Sequence, residues 1–281
     1  MTAERSAGGT GAALNRQKKG ERVSGMRRVK QRIFCGAVCE QIIYNIGDSA
    51  DIRTAKPRKP RFENEEDRAA HREAISRRKN ARLVNANFSP MSLYSTLTFG
   101  LDSEVHTVAE CKRERDNFYR RILYKYPAAK VYLVYGKGKH TGRFHLHMIS
   151  DGVPEEEIGK LWGRGSVIDV KPLRRHNYYK NESGQLVDHG QDYTALANYL
   201  FDHWREEFGG HRWKASRTCR MPEAEMPTEA VREYSPKRPP VAPRGYVLAE
   251  CRATKYGYQY YKYVCVPEKE QERKRTKRRL D

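Results

Sequence analysis

Two histidines one residue apart, His145 and His147, stand in the stretch GRFHLHMISD at residues 142–151. Apolar and polar residues alternate there as in a β-strand, and residues i and i+2 of a strand share a face. Two imidazoles therefore project side by side, while Phe144, Leu146 and Met148 face the other way into a core. Paired imidazoles are a ready site for a divalent metal. Downstream, the segment DYTALANYLFDHWREEF carries two tyrosines. A tyrosine hydroxyl is a poor nucleophile at its ordinary pKa of about 10. A metal that holds and polarises a phosphodiester neutralises charge that builds in the transition state, and so lets such a hydroxyl attack. The products are a phosphotyrosine bond and a free DNA 3′-hydroxyl. These residues point to phosphodiester transesterification.

The elements that must position them follow an α/β order. Residues 93–99 predict a strand, 107–126 a helix with a stripe of Val108, Cys111, Phe118 and Ile122, and 130–135 a strand. The loop GKGKHTG leads into the H-x-H strand. A short helix over 154–162 and a strand over 166–170 follow. The tyrosine helix runs over 192–208, with Asp192 as its expected N-cap. On a helical wheel Leu196, Ala197, Leu200 and Trp204 fall within about 60° of Tyr193, which places Tyr193 on the core stripe. Tyr199 lies roughly 120° away, on the flank, with His203 one turn later. Tyr199 is thus the better candidate to face a cleft.

The chain has 281 residues and a formal net charge of +20. Excess positive charge of this size implies an anionic partner, and nucleic acid is the first choice. No run approaches the roughly 20 apolar residues of a membrane span. The N-terminal segment lacks the apolar region of a signal peptide. The six cysteines show no C-x-x-C pairing and read as free thiols in a reducing cytosol. Residues 1–32 read as a basic flexible arm, 33–46 as one or two strands, 53–61 as a Pro-broken linker and 63–85 as a charged helix. From Tyr234 a Pro-rich segment leads to a tyrosine-rich hairpin and a charged tail. The organisation expected is 1–87 arm and helix, 88–220 catalytic domain, and 221–281 hairpin extension and tail. The fold class expected is α+β, a central antiparallel sheet with helices packed on it.

Three motifs stand in order: STLTF at 95–99, the H-L-H of His145 and His147, and the A-N-Y of Ala197 to Tyr199. With the basic Arg212, Trp213, Ser216 and Arg217 that follow, residues 80–220 resemble the HUH endonucleases. Within these they resemble the rolling-circle replication initiators of plasmids, mobile elements and single-stranded DNA phages. The resemblance implies an RNA-recognition-motif-like palm, with Tyr199 as the single nucleophile and His145 and His147 as ligands of Mg²⁺ or Mn²⁺. The enzyme would nick one strand at an origin, stay on the 5′ end and rejoin the ends later. Three features depart from the family. A lysine shortly after the tyrosine is replaced by Asp202 and His203. No acid stands near Tyr135 or Gly136 to supply a third ligand. A second tyrosine four residues on is replaced by His203. His203 is the first candidate for the third ligand, with Asp169 and His140 as alternatives.

Lys137, Lys139, Arg143, Arg212, Lys214 and Arg217 are the expected phosphate contacts. Trp213 either stacks on an unpaired base or anchors the core. The partner expected is single-stranded or locally melted origin DNA, in a bacterial cytoplasm. No nucleotide-binding G-x-x-x-x-G-K-[ST] loop is present, so no nucleotide cofactor is expected, and a host helicase and polymerase would be needed. Other readings are a single-tyrosine transposase or relaxase, a non-catalytic single-strand binder, and a zinc hydrolase that needs a third strong ligand.

Overall fold

The computed structural model describes residues 26–57, 64–100, 103, 105–138, 141–165, 168–180, 184–203, 211, 213–253 and 257–265. In chain order the elements are β1 (Met26–Cys35), β2 (Val38–Gly47), α1 (Glu65–Asn87), β3 (Leu93–Thr98), α2 (Val108–Lys125), β4 (Lys130–Lys137) and β5 (Phe144–Asp151). They continue with α3 (Glu155–Trp162), β6 (Ile168–Pro172), β7 (Tyr178–Lys180), β8 (Leu186–Asp188), α4 (Thr194–Asp202), β9 (Lys214–Ala215), β10 (Thr228–Glu229), β11 (Tyr246–Ala253) and β12 (Gln259–Cys265).

The fold is α+β with antiparallel sheets. The central sheet has strand order β6-β3-β5-β4-β9. Its middle strands are buried on both faces because helices cover both. On one face Phe144, Leu146 and Met148 of β5 meet Leu97, Leu133, Tyr135 and the apolar stripes of α2 and α3, including Phe118, Ile122, Ile158 and Trp162. Helix α2 begins at a capping box. The Thr107 hydroxyl accepts from the Glu110 N–H (3.2 Å), and the Glu110 carboxylate accepts from the Thr107 N–H (2.9 Å). On the other face Tyr132, Val134 and Ile149 pack under α1 and α4, with Leu83, Val84, Tyr193, Ala197 and Leu200.

Helix α1 is fixed by buried asparagines. Asparagine is a weak helix former, because its side chain competes for backbone hydrogen bonds. Here most of those bonds are made outward, with Asn87 also donating back to the Leu83 carbonyl (2.7 Å). Asn80 donates to the Ala197 carbonyl (2.8 Å) and accepts from the Tyr132 hydroxyl (2.8 Å). Asn85 accepts from the Tyr193 N–H (2.8 Å) and donates to Thr194 Oγ1 (3.1 Å). Asn87 exchanges two hydrogen bonds with the backbone of Arg220, each 2.8 Å. One helix thus sets α4 and the segment after β9 against the sheet.

The second sheet has order β10-β1-β2-β12-β11, so the two ends of the described chain meet in it. It joins α1 through Arg82 and Glu40 (2.6 Å), and α4 through Lys262 and Asp192 (2.9 Å). Arg78 of α1 lies 5.0 Å over the Tyr260 ring.

Several expectations are corrected. Met26 to Arg32, read as flexible arm, form most of β1, because they pair residue by residue with β2. The strand read over 166–170 runs on to Pro172, in register with β3, while residues 166 and 167 lie outside the described residues. Tyr193, not Asp192, is the N-cap of α4; the Asp192 carboxylate instead accepts from the Thr194 N–H (2.9 Å). The short strands β7 to β10 were not expected. The expected helix beyond His203, the N-terminal arm to residue 25 and the charged tail lie outside the described residues.

Asp192 is fully buried. Burial alone would raise its pKa, but the His189 ring 3.6 Å away, the hydrogen bond from the Thr194 N–H and the Lys262 charge hold it well below the ordinary carboxylate range. Its folded pKa lies under its unfolded value of about 4, so its stabilisation is complete above that value. It is lost as pH falls through the folded pKa. Asp192→Asn leaves buried Lys262 with only the more distant Glu250 carboxylate (3.8 Å), and is expected to cost roughly 3 kcal/mol at pH 7 in urea unfolding. The gap between variant and wild type should narrow below about pH 4.

Candidate active site

Strand β5 places His145 and His147 on the face covered by α1 and α4. In register beside them lie Thr98 and Thr96 of β3, and Gly136 and Val134 of β4. Helix α4 crosses this face and brings Tyr199 and its C-cap residue, His203, down onto it. The ligand atoms of His145, His147 and His203 lie within 4.8 Å of one another, so the cluster can hold a metal ion. The Tyr199 ring is half exposed and lies 4.2 Å from the His203 ring and 5.8 Å from that of His147, centroid to centroid.

The imidazoles are prepared as ligands by what surrounds them. His147 is buried, and its Nδ1 is hydrogen-bonded to the Tyr94 hydroxyl (2.7 Å), with Thr96 Oγ1 at 3.3 Å. Its Nε2 is buried and has no hydrogen-bond partner. A polar atom left so costs about 1–3 kcal/mol, and a bound metal ion would supply the missing partner. His203 Nδ1 donates to the Tyr199 carbonyl (2.8 Å), which leaves the Nε2 lone pair available. Burial, then the neighbouring His203 and His145, push the His147 pKa down to about 2. Burial and His203 lower that of His145 as well, against a hydrogen bond with the Arg143 backbone. Both rings are therefore neutral at pH 7, the form that binds metal.

Gly136 makes the room. A Cβ built there would stand 3.1 Å from His145 Nε2 and 3.1 Å from His203 Cδ2. The acid missing from this position thus coincides with the space that His203 fills. Tyr193, by contrast, is buried in the core under α4 and donates its hydroxyl to the Arg174 carbonyl (3.1 Å). Of the two helix tyrosines, only Tyr199 touches the histidines. Asp169 lies across from Thr96 on β6, exposed and paired with Lys171 (2.8 Å), outside the cluster. His140, Lys139, Trp204 and Arg212 lie outside the described residues.

The basic residues divide. Arg217 and Arg143 are exposed, and the Arg143 guanidinium donates to the Phe99 carbonyl. Lys137 lies 5.3 Å over the Phe144 ring. Of the expected DNA contacts, Lys214 makes contacts within the fold, and Trp213, read as either a base-stacking or a core residue, lies against the core. Lys214 pairs with Asp116 (2.9 Å) and caps the Tyr119 ring at 4.6 Å, while Trp213 packs 6.1 Å from Phe201 against the core. Sequence reading missed Tyr94 and Gly136. Tyr94 was visible in principle, since it precedes Thr96 by two and must share its face.

All six cysteines are free, and no helix among the described residues is long and apolar enough to cross a membrane. No protein-family model matches the chain, and no curated protein or solved structure matches it.

Two substitutions test the geometry without removing a ligand. Tyr94→Phe frees the His147 ring to turn, and is expected to weaken Mn²⁺ affinity by about 10–100-fold in calorimetry. Gly136→Ala crowds two ligands at once and is expected to abolish tight binding while thermal unfolding stays cooperative.

Proposed function

We propose that the chain is an HUH-type single-strand endonuclease, a rolling-circle initiator that nicks and rejoins DNA. The observation that carries the proposal is the convergence of Tyr199 on a cluster of three histidines drawn from β5 and α4. The central antiparallel sheet with helices on it supports the expected palm. His145, His147 and His203 would hold the metal, which supplies charge neutralisation at the scissile phosphate. Three imidazole ligands suit Mn²⁺ better than Mg²⁺, which prefers oxygen ligands.

Tyr199 stands at the exposed edge of the cluster, where a single strand can reach it. Its hydroxyl oxygen forms the new bond to phosphorus and its proton passes to water. The bond from phosphorus to the 3′ oxygen breaks, and that oxygen leaves as a hydroxyl. The phosphotyrosine link conserves the bond energy for rejoining. Exposed Arg143 and Arg217 support binding of backbone phosphates, with salt-sensitive affinity. The partners are single-stranded or melted origin DNA and a host helicase and polymerase, and the bacterial cytoplasm is the setting.

A second reading gains from one observation. A zinc hydrolase needs three strong ligands, and His203 completes a three-histidine set like those that activate water. The two readings differ in the product. The purified chain is incubated with Mn²⁺ or Zn²⁺ and labelled single-stranded DNA tiling its own replicon, then run on an SDS gel. The expected result is a covalent protein–DNA band that is lost in EDTA and in Tyr199→Phe, and weakened at least tenfold in His203→Ala. Cleavage to a free 5′-phosphate that survives Tyr199→Phe would replace the transesterase by the hydrolase.

A further inference from the structure

On β3, Tyr94 and Thr96 lie on the face that carries the histidines, and both reach His147. The Tyr94 ring stacks on the His147 ring at 5.8 Å, inclined by 18°, and the Tyr199 ring meets His147 edge-on at 5.8 Å. Two tyrosines thus touch one imidazole. Their hydroxyls are close enough to interact. Burial pushes the Tyr94 pKa up to about 12, and Tyr199 and Asp169 add to the rise, against a hydrogen bond from Thr96. Tyr94 therefore keeps its proton at pH 7.

The hydrogen bonds decide where that proton points. A neutral imidazole carries one N–H. When His147 binds a metal through Nε2, the N–H is at Nδ1. It then donates to the Tyr94 oxygen (2.7 Å), with Thr96 Oγ1 at 3.3 Å as a second acceptor. The Thr96 hydroxyl donates to the same Tyr94 oxygen (3.4 Å). The Tyr94 oxygen thus receives from both neighbours, and its own proton is spent on neither. Among the described residues the Tyr94 hydroxyl makes no other hydrogen bond. The Asp169 carboxylate, across from Thr96 on β6, is taken by Lys171 (2.8 Å). Lys171 also lies 5.7 Å over the Tyr94 ring. This pair leaves the strip charge-balanced, so what Tyr94 offers a ligand is a neutral donor beside the cation site.

We propose that Tyr94 is a substrate-binding residue: its hydroxyl donates to a non-bridging phosphate oxygen of the single strand, and does so only when His147 carries its proton on Nδ1. The proposal rests on the reading of this site as one that holds a phosphodiester. A metal held by imidazoles alone keeps its full charge and draws an anion to the cluster. A phosphate oxygen accepts more strongly than water, because it is charged. Tyr94 stands beside the same imidazole that Tyr199 touches, so a phosphate within reach of the nucleophile is also near this donor. His147 couples the two events. A bond at Nε2 fixes the tautomer, and the tautomer turns the Tyr94 proton outward. Without that bond Tyr94 gives its proton to Nδ1 and has none for the substrate.

The test uses the full chain carrying Tyr199→Phe, so that no covalent bond forms, and a labelled mixed-sequence single-stranded oligonucleotide. Mn²⁺ affinities are measured first by calorimetry. Oligonucleotide affinities follow by fluorescence anisotropy, in EDTA and with Mn²⁺ well above the Kd of every variant. Circular dichroism melts check folding. Tyr94→Phe is expected to lose roughly tenfold or more in oligonucleotide affinity with Mn²⁺ saturating, and nothing in EDTA. The second variant, Tyr94→3-fluorotyrosine, has a hydroxyl that donates more strongly and accepts more weakly. It is expected to bind Mn²⁺ more weakly and the oligonucleotide more tightly. A residue that only orients His147 would lower the first affinity without raising the second. That result, or a Tyr94→Phe loss that is the same with and without Mn²⁺, would overturn the proposal. Adduct formation by the chain with Tyr199 in place is read in parallel. No adduct, with the Mn²⁺-dependent loss intact, would remove the nuclease reading and leave the Tyr94 phosphate contact standing. An adduct, with oligonucleotide affinity unmoved by both variants, would do the reverse.

Discussion

The buried amides of α1 determine where everything else in the site stands. Asn80 spans from Tyr132 on the sheet to the Ala197 carbonyl on α4, and Asn85 holds the Tyr193 N–H at the start of the same helix. A buried amide that loses its partners costs more than an apolar residue there would, so these bonds admit only one position for α4. That position carries Tyr199 and His203 to the histidines of β5. Apolar contacts between α4 and the sheet stabilise the pair but tolerate sliding by small amounts. The amides do not, because hydrogen-bond geometry fails within a few tenths of an ångström.

The site is then a matter of space and charge on one sheet face. Gly136 leaves a gap on β4, and the His203 ring occupies it. The helix thus brings a third imidazole into the volume that a side chain at position 136 of the sheet would fill. Asp202 pairs with Arg77 of α1 at 2.7 Å. Arg77 also lies 4.6 Å over the Phe201 ring. The positive charge near the end of α4 therefore comes from the scaffold helix.

Much of this was legible in the sequence where local pattern decides structure. The alternation of FHLHM fixes which side of β5 each residue faces, and the helical spacing separates buried Tyr193 from exposed Tyr199. The tyrosine-rich hairpin near the C-terminus was visible for the same reason. The role of α1 was not visible, because its buried face is built partly of asparagine and arginine rather than apolar residues. Polar residues in a helix normally mean solvent, and only their partners, more than a hundred residues away, reverse that meaning. The pairing of β2 with β12 was hidden likewise, since no local pattern names a strand's neighbour. A trace existed in Glu40 and Lys262, single charges inside apolar strands, which burial obliges to find counter-charges.

Those two charges give the second sheet a consequence for the site. Glu40 binds Arg82 on α1 and Lys262 binds Asp192 just before α4, so the sheet formed by the two ends of the described chain grips both helices that cover the histidines. A sheet held by apolar contact alone could rotate over them. One held by two buried ion pairs at separate points cannot turn without exposing unpaired charge. The N- and C-terminal segments therefore brace the α1–α4 layer from behind. They leave its front edge, where Tyr199 is half exposed, as the open approach to the histidines.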